Sequence, residues 1–334
     1  MKKNEENQSQ NAGAPEKLSR TVNEPHSSSA KEKGETRSHS AVIAEKILRA
    51  VNDGHLSSVE GSEEFLQKRA AVEDEPLQLW QPLLNREHGS ETVYHGMQMI
   101  CFGEKKDARY TVLYLHGGGY TEEAMPFHLH YCAKLAQRIG AYVLLPLYPL
   151  APNHIWKETY DLLTMLYSDM VAEKSGTITI MGDSAGGGLA IAFCQYLKTI
   201  GLPQPEHLIG LSPWVDLCME DSDYEPFRPL DPMLDVAGLQ TYAKAWAGDL
   251  NVRDPRISPT FGDNRGLPKT LLFTGTRGIF YPDICEFYKK MRADGCSVEL
   301  VIGEGMNHVY PLYGLPESKE AVARIDREIT GGIL

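Results

Sequence analysis

Ser184 lies in Gly182-Asp183-Ser184-Ala185-Gly186, with a glycine two places to either side. A serine hydroxyl attacks a carbonyl only if it stands clear of its own backbone and a base can take its proton. The G-x-S-x-G spacing meets the first need, because two glycines allow a strand-to-helix turn too sharp for side chains. His116-Gly117-Gly118-Gly119-Tyr120, farther upstream, holds three consecutive glycines. Their N–H groups can turn towards one point, as a developing oxyanion requires. Gly117 and Gly118 are the expected donors, joined by Ala185 at the start of the elbow helix, whose N-terminus favours negative charge. The expected base is His308, in Gly303-Glu-Gly-Met-Asn-His308, which alone of the eleven histidines follows the last predicted strand. His116 belongs to the glycine turn, and His128 and His130 share a helix start with no metal-ligand partner. The combination points to acyl transfer on serine. A phosphate loop would need a following Gly-Lys-Ser/Thr, and a dinucleotide turn a G-x-G-x-x-G; neither is present.

These residues must be held by regular elements. Strands are expected at Thr92–Phe102, Tyr110–Leu115, Ala141–Leu147, Thr177–Met181, Leu208–Leu211, Thr270–Thr274 and Val298–Ile302. Helical periodicity falls between them at Phe127–Ile139, Lys157–Ala172, Ala185–Ile200 and Asp283–Ala293, with a last helix from about Glu317. That alternation predicts an α/β fold with a mostly parallel central sheet and helices on both faces. Sites on such sheets form at the carboxyl ends of the strands, where the glycine turns, Ser184 and His308 all fall. Two further helices are expected over Ala41–Val51 and Ser62–Val72, and another near Val236–Ala247 in a segment that breaks the rhythm between Pro213 and Arg256. An insertion on the catalytic side suggests a lid.

Composition narrows the partners. The net charge is -12, and residues 1–40 carry seven basic and six acidic side chains, so the body holds all the acidity. This argues against nucleic acid or an anionic membrane as the main partner. The tail is poor in apolar residues and is expected to be disordered. The start lacks the apolar run of a signal peptide, and no stretch approaches eighteen apolar residues, so a cytoplasmic protein without a membrane span is expected. Six scattered cysteines form no C-x-x-C and no cysteine–histidine cluster, so neither structural zinc nor a disulfide framework is expected; no metal or cofactor is predicted.

His116-Gly-Gly-Gly119, Tyr148-Pro-Leu-Ala-Pro152, Gly182-Asp-Ser-Ala-Gly-Gly187 and the late His308 together resemble the hormone-sensitive-lipase-like (bacterial family IV) esterases of the α/β-hydrolase fold. The resemblance spans roughly residues 91–334. It implies a serine carboxylesterase acting on small to medium acyl esters, with Ser184 as nucleophile, His308 as base, and Gly117, Gly118 and Ala185 as oxyanion hole. It also implies a lid built from N-terminal helices and an insertion. The expected organisation is a tail at 1–40, a helical cap region at 41–90, and a hydrolase domain at 91–334 with its lid insertion at about 214–250. Asp183 is expected to order the elbow. Tyr120, Met125, Phe127 and Trp214 follow catalytic-side strand ends and could line an acyl or alcohol site.

One position departs from the pattern. The family's acid sits in a stretch like G-x-x-D/E-x-L-x-x-D, and here that stretch is Gly275-Thr-Arg-Gly278-Ile-Phe-Tyr-Pro-Asp283. Glycine at 278 offers His308 no carboxylate. Three accounts stand open: Asp283 swings in as the acid, Asp216 reaches the histidine from the preceding strand, or the site works as a weak Ser–His dyad. The alternative function is a catalytically impaired small-molecule binder on the same fold.

Overall fold

In a computed structural model, residues 37–72, 81–106, 108–173, 176–220 and 222–332 are described. The strands are β1 (Gly89–Tyr94), β2 (Met97–Phe102), β3 (Tyr110–Leu115), β4 (Tyr142–Pro146), β5 (Thr177–Asp183), β6 (His207–Leu211), β7 (Lys269–Gly275) and β8 (Val298–Gly303). Every residue of β3 is buried. Leu113 and Leu115 enter one apolar cluster, and Val112 and Tyr114 enter another. That is the two-residue alternation of a strand covered on both faces, which explains the near-continuous apolar run.

The strands form one sheet in the order β1-β2-β4-β3-β5-β6-β7-β8. From β4 to β8 neighbours run parallel, while β2 pairs antiparallel with both β1 and β4. The helices are α1 (His39–Val51), α2 (Val59–Ala70), α3 (Gln81–Arg86), α4 (Pro126–Ile139), α5 (Trp156–Ala172), α6 (Ser184–Thr199), α7 (Val236–Ala247), α8 (Tyr281–Ala293) and α9 (Ser318–Thr330). One sheet face is covered by α5, α6 and α8 through residues such as Leu163, Phe193 and Phe287. The other is covered by α4 and α9 through Leu129, Leu135 and Ile325. The α/β architecture expected from the alternating pattern is therefore the observed one.

The expected strand Thr92–Phe102 is instead a hairpin. His95 (φ 47°) and Gly96 (φ 88°) reverse the chain, and Tyr94 pairs with Met97. Two positive φ angles in a two-residue loop make a primed hairpin turn. His-Gly lacks the Asn-Gly signature of such turns, so the sequence pattern runs straight through it.

The chain divides into a unit Met1–Lys33, outside the described residues, and a unit Gly34–Leu334. Of the expected disordered tail, residues 1–36 thus lie outside the description. Helix α1 begins at His39, inside the boundary expected at residue 40, because the Ser38 hydroxyl accepts the Ala41 N–H at 3.1 Å and caps it.

Helices α1 and α2 are tied to loops at the carboxyl ends of the strands, and α7 packs on the turn between them. From α1, Glu45 accepts hydrogen bonds from Arg277 at 2.9 and 3.1 Å, in the loop after β7. Burial pushes the Glu45 carboxyl up, but Arg277, Arg37 and Arg49 outweigh it and hold its pKa at about 2. From α2, Arg69 donates to the Thr121 carbonyl at 3.2 Å, just past the triple glycine. In α7, Gly238 lets the helix meet the turn His55–Ser57 backbone to backbone, since a Cβ there would lie 2.5 Å from the Leu56 Cα and carbonyl oxygen. Across this junction the His55 ring stacks on Phe65 at 4.4 Å, and Phe65 meets Tyr242 at a tilt, 5.7 Å apart.

Candidate active site

Strand β5 runs into α6 at Ser184, whose φ of 52° is one that side-chain-bearing residues rarely adopt. Such strain persists only where the surroundings over-determine it. Here they do, for the flanking glycines cannot be replaced. A Cβ on Gly182 would lie 2.4 Å from the Gly186 carbonyl oxygen, and one on Gly186 would lie 2.1 Å from that of Leu115. The Ser184 carbonyl is held by the Trp214 N–H at 2.8 Å. The serine itself is 9% exposed.

Across from the elbow the triple glycine folds tightly, with φ of 116° at Gly118 and 59° at Gly119. A Cβ on Gly117 would lie 3.0 Å from the Ser184 Cβ, so this turn borders the serine. The Gly117 N–H donates to Asp183 Oδ1 at 3.1 Å. Among the described residues, the N–H groups of Gly118 and Gly119 donate to nothing. Ala185 lies in the first turn of α6, whose N–H groups have no intrahelical acceptor. Among the described residues, the amides of Gly118, Gly119 and Ala185 are thus left without an acceptor. Gly117, an expected donor, is engaged internally in this structure.

Asp183 is what engages it. This buried carboxylate also accepts the Tyr114 hydroxyl at 2.8 Å and faces His128 Nε2 at 3.2 Å. Burial raises its pKa, but His128 and Tyr114 outweigh that and leave it lowered, so the group is ionised at neutral pH. His116 is packed into the same turn, its ring stacked on Tyr148 at 4.4 Å. Burial and then His128 bring the pKa of His116 down to about 4.

His308 follows β8, and its loop is pinned where the Val309 N–H donates to Ser212 Oγ at 3.0 Å. The residue is 3% exposed, and its ring meets Phe280 edge-on at 5.1 Å. Burial pulls its pKa from 6.5 to about 4, with the Asp183 charge opposing. Neither ring nitrogen has a hydrogen-bond partner among the described residues. Ser184 and His308 are therefore not hydrogen-bonded here, a looseness common before substrate arrives.

The two candidate acids have other partners. Asp283 accepts the Tyr224 hydroxyl at 2.7 and 2.9 Å and the Ser222 hydroxyl, which ties α8 to the segment after β6. Asp216 accepts the Cys218 N–H at 2.9 Å within its own turn. Neither is joined to His308 in this structure. A third carboxylate, Asp231, is one the sequence reading passed over: it accepts the N–H groups of Met233, Leu234 and Ile279, each at 2.9 Å. Of the expected pocket residues, Tyr120 and Trp214 are fully buried in a ring stack with Trp246 and Phe280, and Met125 is 46% exposed.

Residues 112–312 match a family described as alpha/beta hydrolase fold. The chain belongs to the α/β-hydrolase family. The hydrolase is 31% identical to an acetyl-hydrolase of Streptomyces hygroscopicus over 69% of this chain and 76% of that protein. It is likewise 31% identical to an esterase of Acinetobacter venetianus, over 64% and 72% of the two chains. Among solved structures, an esterase of the bacterial hormone-sensitive lipase family superposes with a TM-score of 0.69 at 26% identity, covering 85% of this hydrolase and all of that chain. An esterase/lipase from an uncultured bacterium gives a TM-score of 0.73 at 27% identity, over 88% and 99% of the two chains. Among the described residues of the hydrolase, no helix is long and apolar enough to cross a membrane, and no group of three or more His, Cys, Asp or Glu could hold a metal ion.

Proposed function

We propose that this carboxylic-ester hydrolase cleaves small to medium acyl esters through an acyl-enzyme on Ser184. In this reading Ser184 Oγ attacks the ester carbonyl and His308 takes its proton. The tetrahedral oxyanion lies against the N–H groups of Gly118, Gly119 and Ala185, which cost no reorganisation because their direction is already fixed. His308 then returns the proton to the departing alcohol, and water releases the acid by the same steps in reverse. Helices α1, α2 and α7 cap the pocket as a lid. The observation that carries this reading is the strained Ser184 backbone beside two glycine amides that, among the described residues, donate to nothing else.

A base held at about 4, with no acceptor for either ring nitrogen among the described residues, makes turnover slow rather than absent. That same feature favours a second reading, in which the lidded pocket binds a small molecule without converting it. Hydrolysis of p-nitrophenyl acetate and butyrate by the wild type and by Ser184→Ala separates them. Catalysis lost in the variant supports the esterase; equal rates refute it.

A further inference from the structure

The two candidate acids and Asp231 all have other donors. Asp283 serves Tyr224 and Ser222, Asp216 serves Cys218, and Asp231 serves the main chain of Met233, Leu234 and Ile279. The imidazole is buried, yet both of its nitrogens are unpartnered among the described residues. Buried polar groups are almost always paired, and among the described residues His308 is the one with two buried side-chain atoms unpaired. Beside the His308 main chain stands Gly278, which carries no side chain. A Cβ built on Gly278 would meet nothing closer than 3.5 Å, where the Gly275 carbonyl oxygen and the His308 N and Cα lie, and the Gly278 backbone is not left-handed.

We infer that a small monocarboxylate, formate or acetate in size, binds beside Gly278 and accepts a hydrogen bond from the His308 ring nitrogen turned away from Ser184. The inference rests on His308 acting as the base for Ser184. The bound anion takes no proton and is not consumed. It fixes the tautomer of the imidazole and stabilises the imidazolium while the proton passes from Ser184 Oγ to the leaving alcohol. Among the described residues, the Asp183 charge opposes the effect of burial on this ring. A second negative charge at hydrogen-bond distance raises the basicity of a group that burial has weakened. Hydrolysis of a short-acyl ester releases a ligand of this same class, so the enzyme is activated by its own product.

The test measures kcat for p-nitrophenyl butyrate against rising sodium formate and sodium acetate, with ionic strength held constant by sodium chloride and with bulky pivalate as a size control. A parallel titration follows the His308 imidazole by 15N NMR, assigned by its loss in His308→Ala. The expected result is a saturable rise of at least about tenfold, bounded by about 10⁴, with formate and acetate but not pivalate. The NMR signal should move at the same concentrations, and both responses should vanish in Gly278→Asp, whose own carboxylate fills the place. If the wild type turns over through Ser184 but neither anion changes its rate or the His308 signal beyond the chloride control, the inference is overturned and the esterase reading stands. If no Ser184-dependent turnover occurs under any condition, the esterase reading falls. The NMR titration then decides alone: a saturable shift upholds the anion site, and its absence overturns that too.

Discussion

Gly278→Asp puts a carboxylate on the chain itself, next to His308. The backbone tolerates it, since a Cβ there makes only ordinary contacts at 3.5 Å and the residue's φ lies outside the left-handed region. His308 now sits at about 4 because burial penalises the imidazolium. If the new charge does no more than restore the ordinary value of 6.5, the imidazolium gains about 3 kcal/mol, at about 1.4 kcal/mol per pKa unit. Realised in the transition state, that is a factor of about 10² in kcat. The ceiling is about 10⁴, the loss that follows neutralising the acid in the serine-protease template. The assay is kcat for p-nitrophenyl butyrate, with Gly278→Ala and Gly278→Asn beside the aspartate. Alanine adds the Cβ without the charge, and asparagine adds the shape without it. Expected rates put aspartate about a hundredfold above alanine, with asparagine close to alanine. Should aspartate stay within about threefold of alanine while folding normally, the claim that a missing acceptor limits His308 is wrong.

Two further outcomes follow from the same geometry. Asp283→Asn weakens the hold on Tyr224 and Ser222 and should lower unfolding stability by about 1–3 kcal/mol in urea melts, leaving kcat within about threefold; a hundredfold loss of kcat at unchanged stability would instead make Asp283 the acid. The second concerns pH. The neutral form of His308 is the active one, so kcat/KM should fall on the acid side only near pH 4 rather than 6.5, and this limb should move upward in Gly278→Asp. Between pH 4 and 6.5 the unfolded chain binds protons that buried His308 and His116 refuse, so stability should rise with pH across that window and level off above it. Urea melts at pH 4.5 and 7 check the sign, and an acid limb at 6.5 would show His308 to be unperturbed.

The parallel sheet and its helices could be read from the chain because each rests on short-range constraints. Val112, Leu113 and Tyr114 alternate between two covered faces, and Gly182 and Gly186 have no room for a Cβ. Such demands act over a few residues, so residue type and spacing reveal them. The β1–β2 hairpin escaped because His95 adopts a positive φ that its side chain does not announce.

What the tertiary structure alone decided is which groups are already taken. Three adjacent glycines offer equivalent amides, and only the approach of Asp183 from 66 residues away removes that of Gly117. Likewise Asp283 stands at a plausible distance in sequence from Gly278, yet Tyr224 and Ser222 in another loop claim its carboxylate. Asp231, with no motif around it, reaches the Ile279 N–H from 48 residues upstream. Hydrogen-bond capacity is finite and is divided among loops that meet only when the sheet has formed, so residue types at their spacing name the candidates and packing chooses among them.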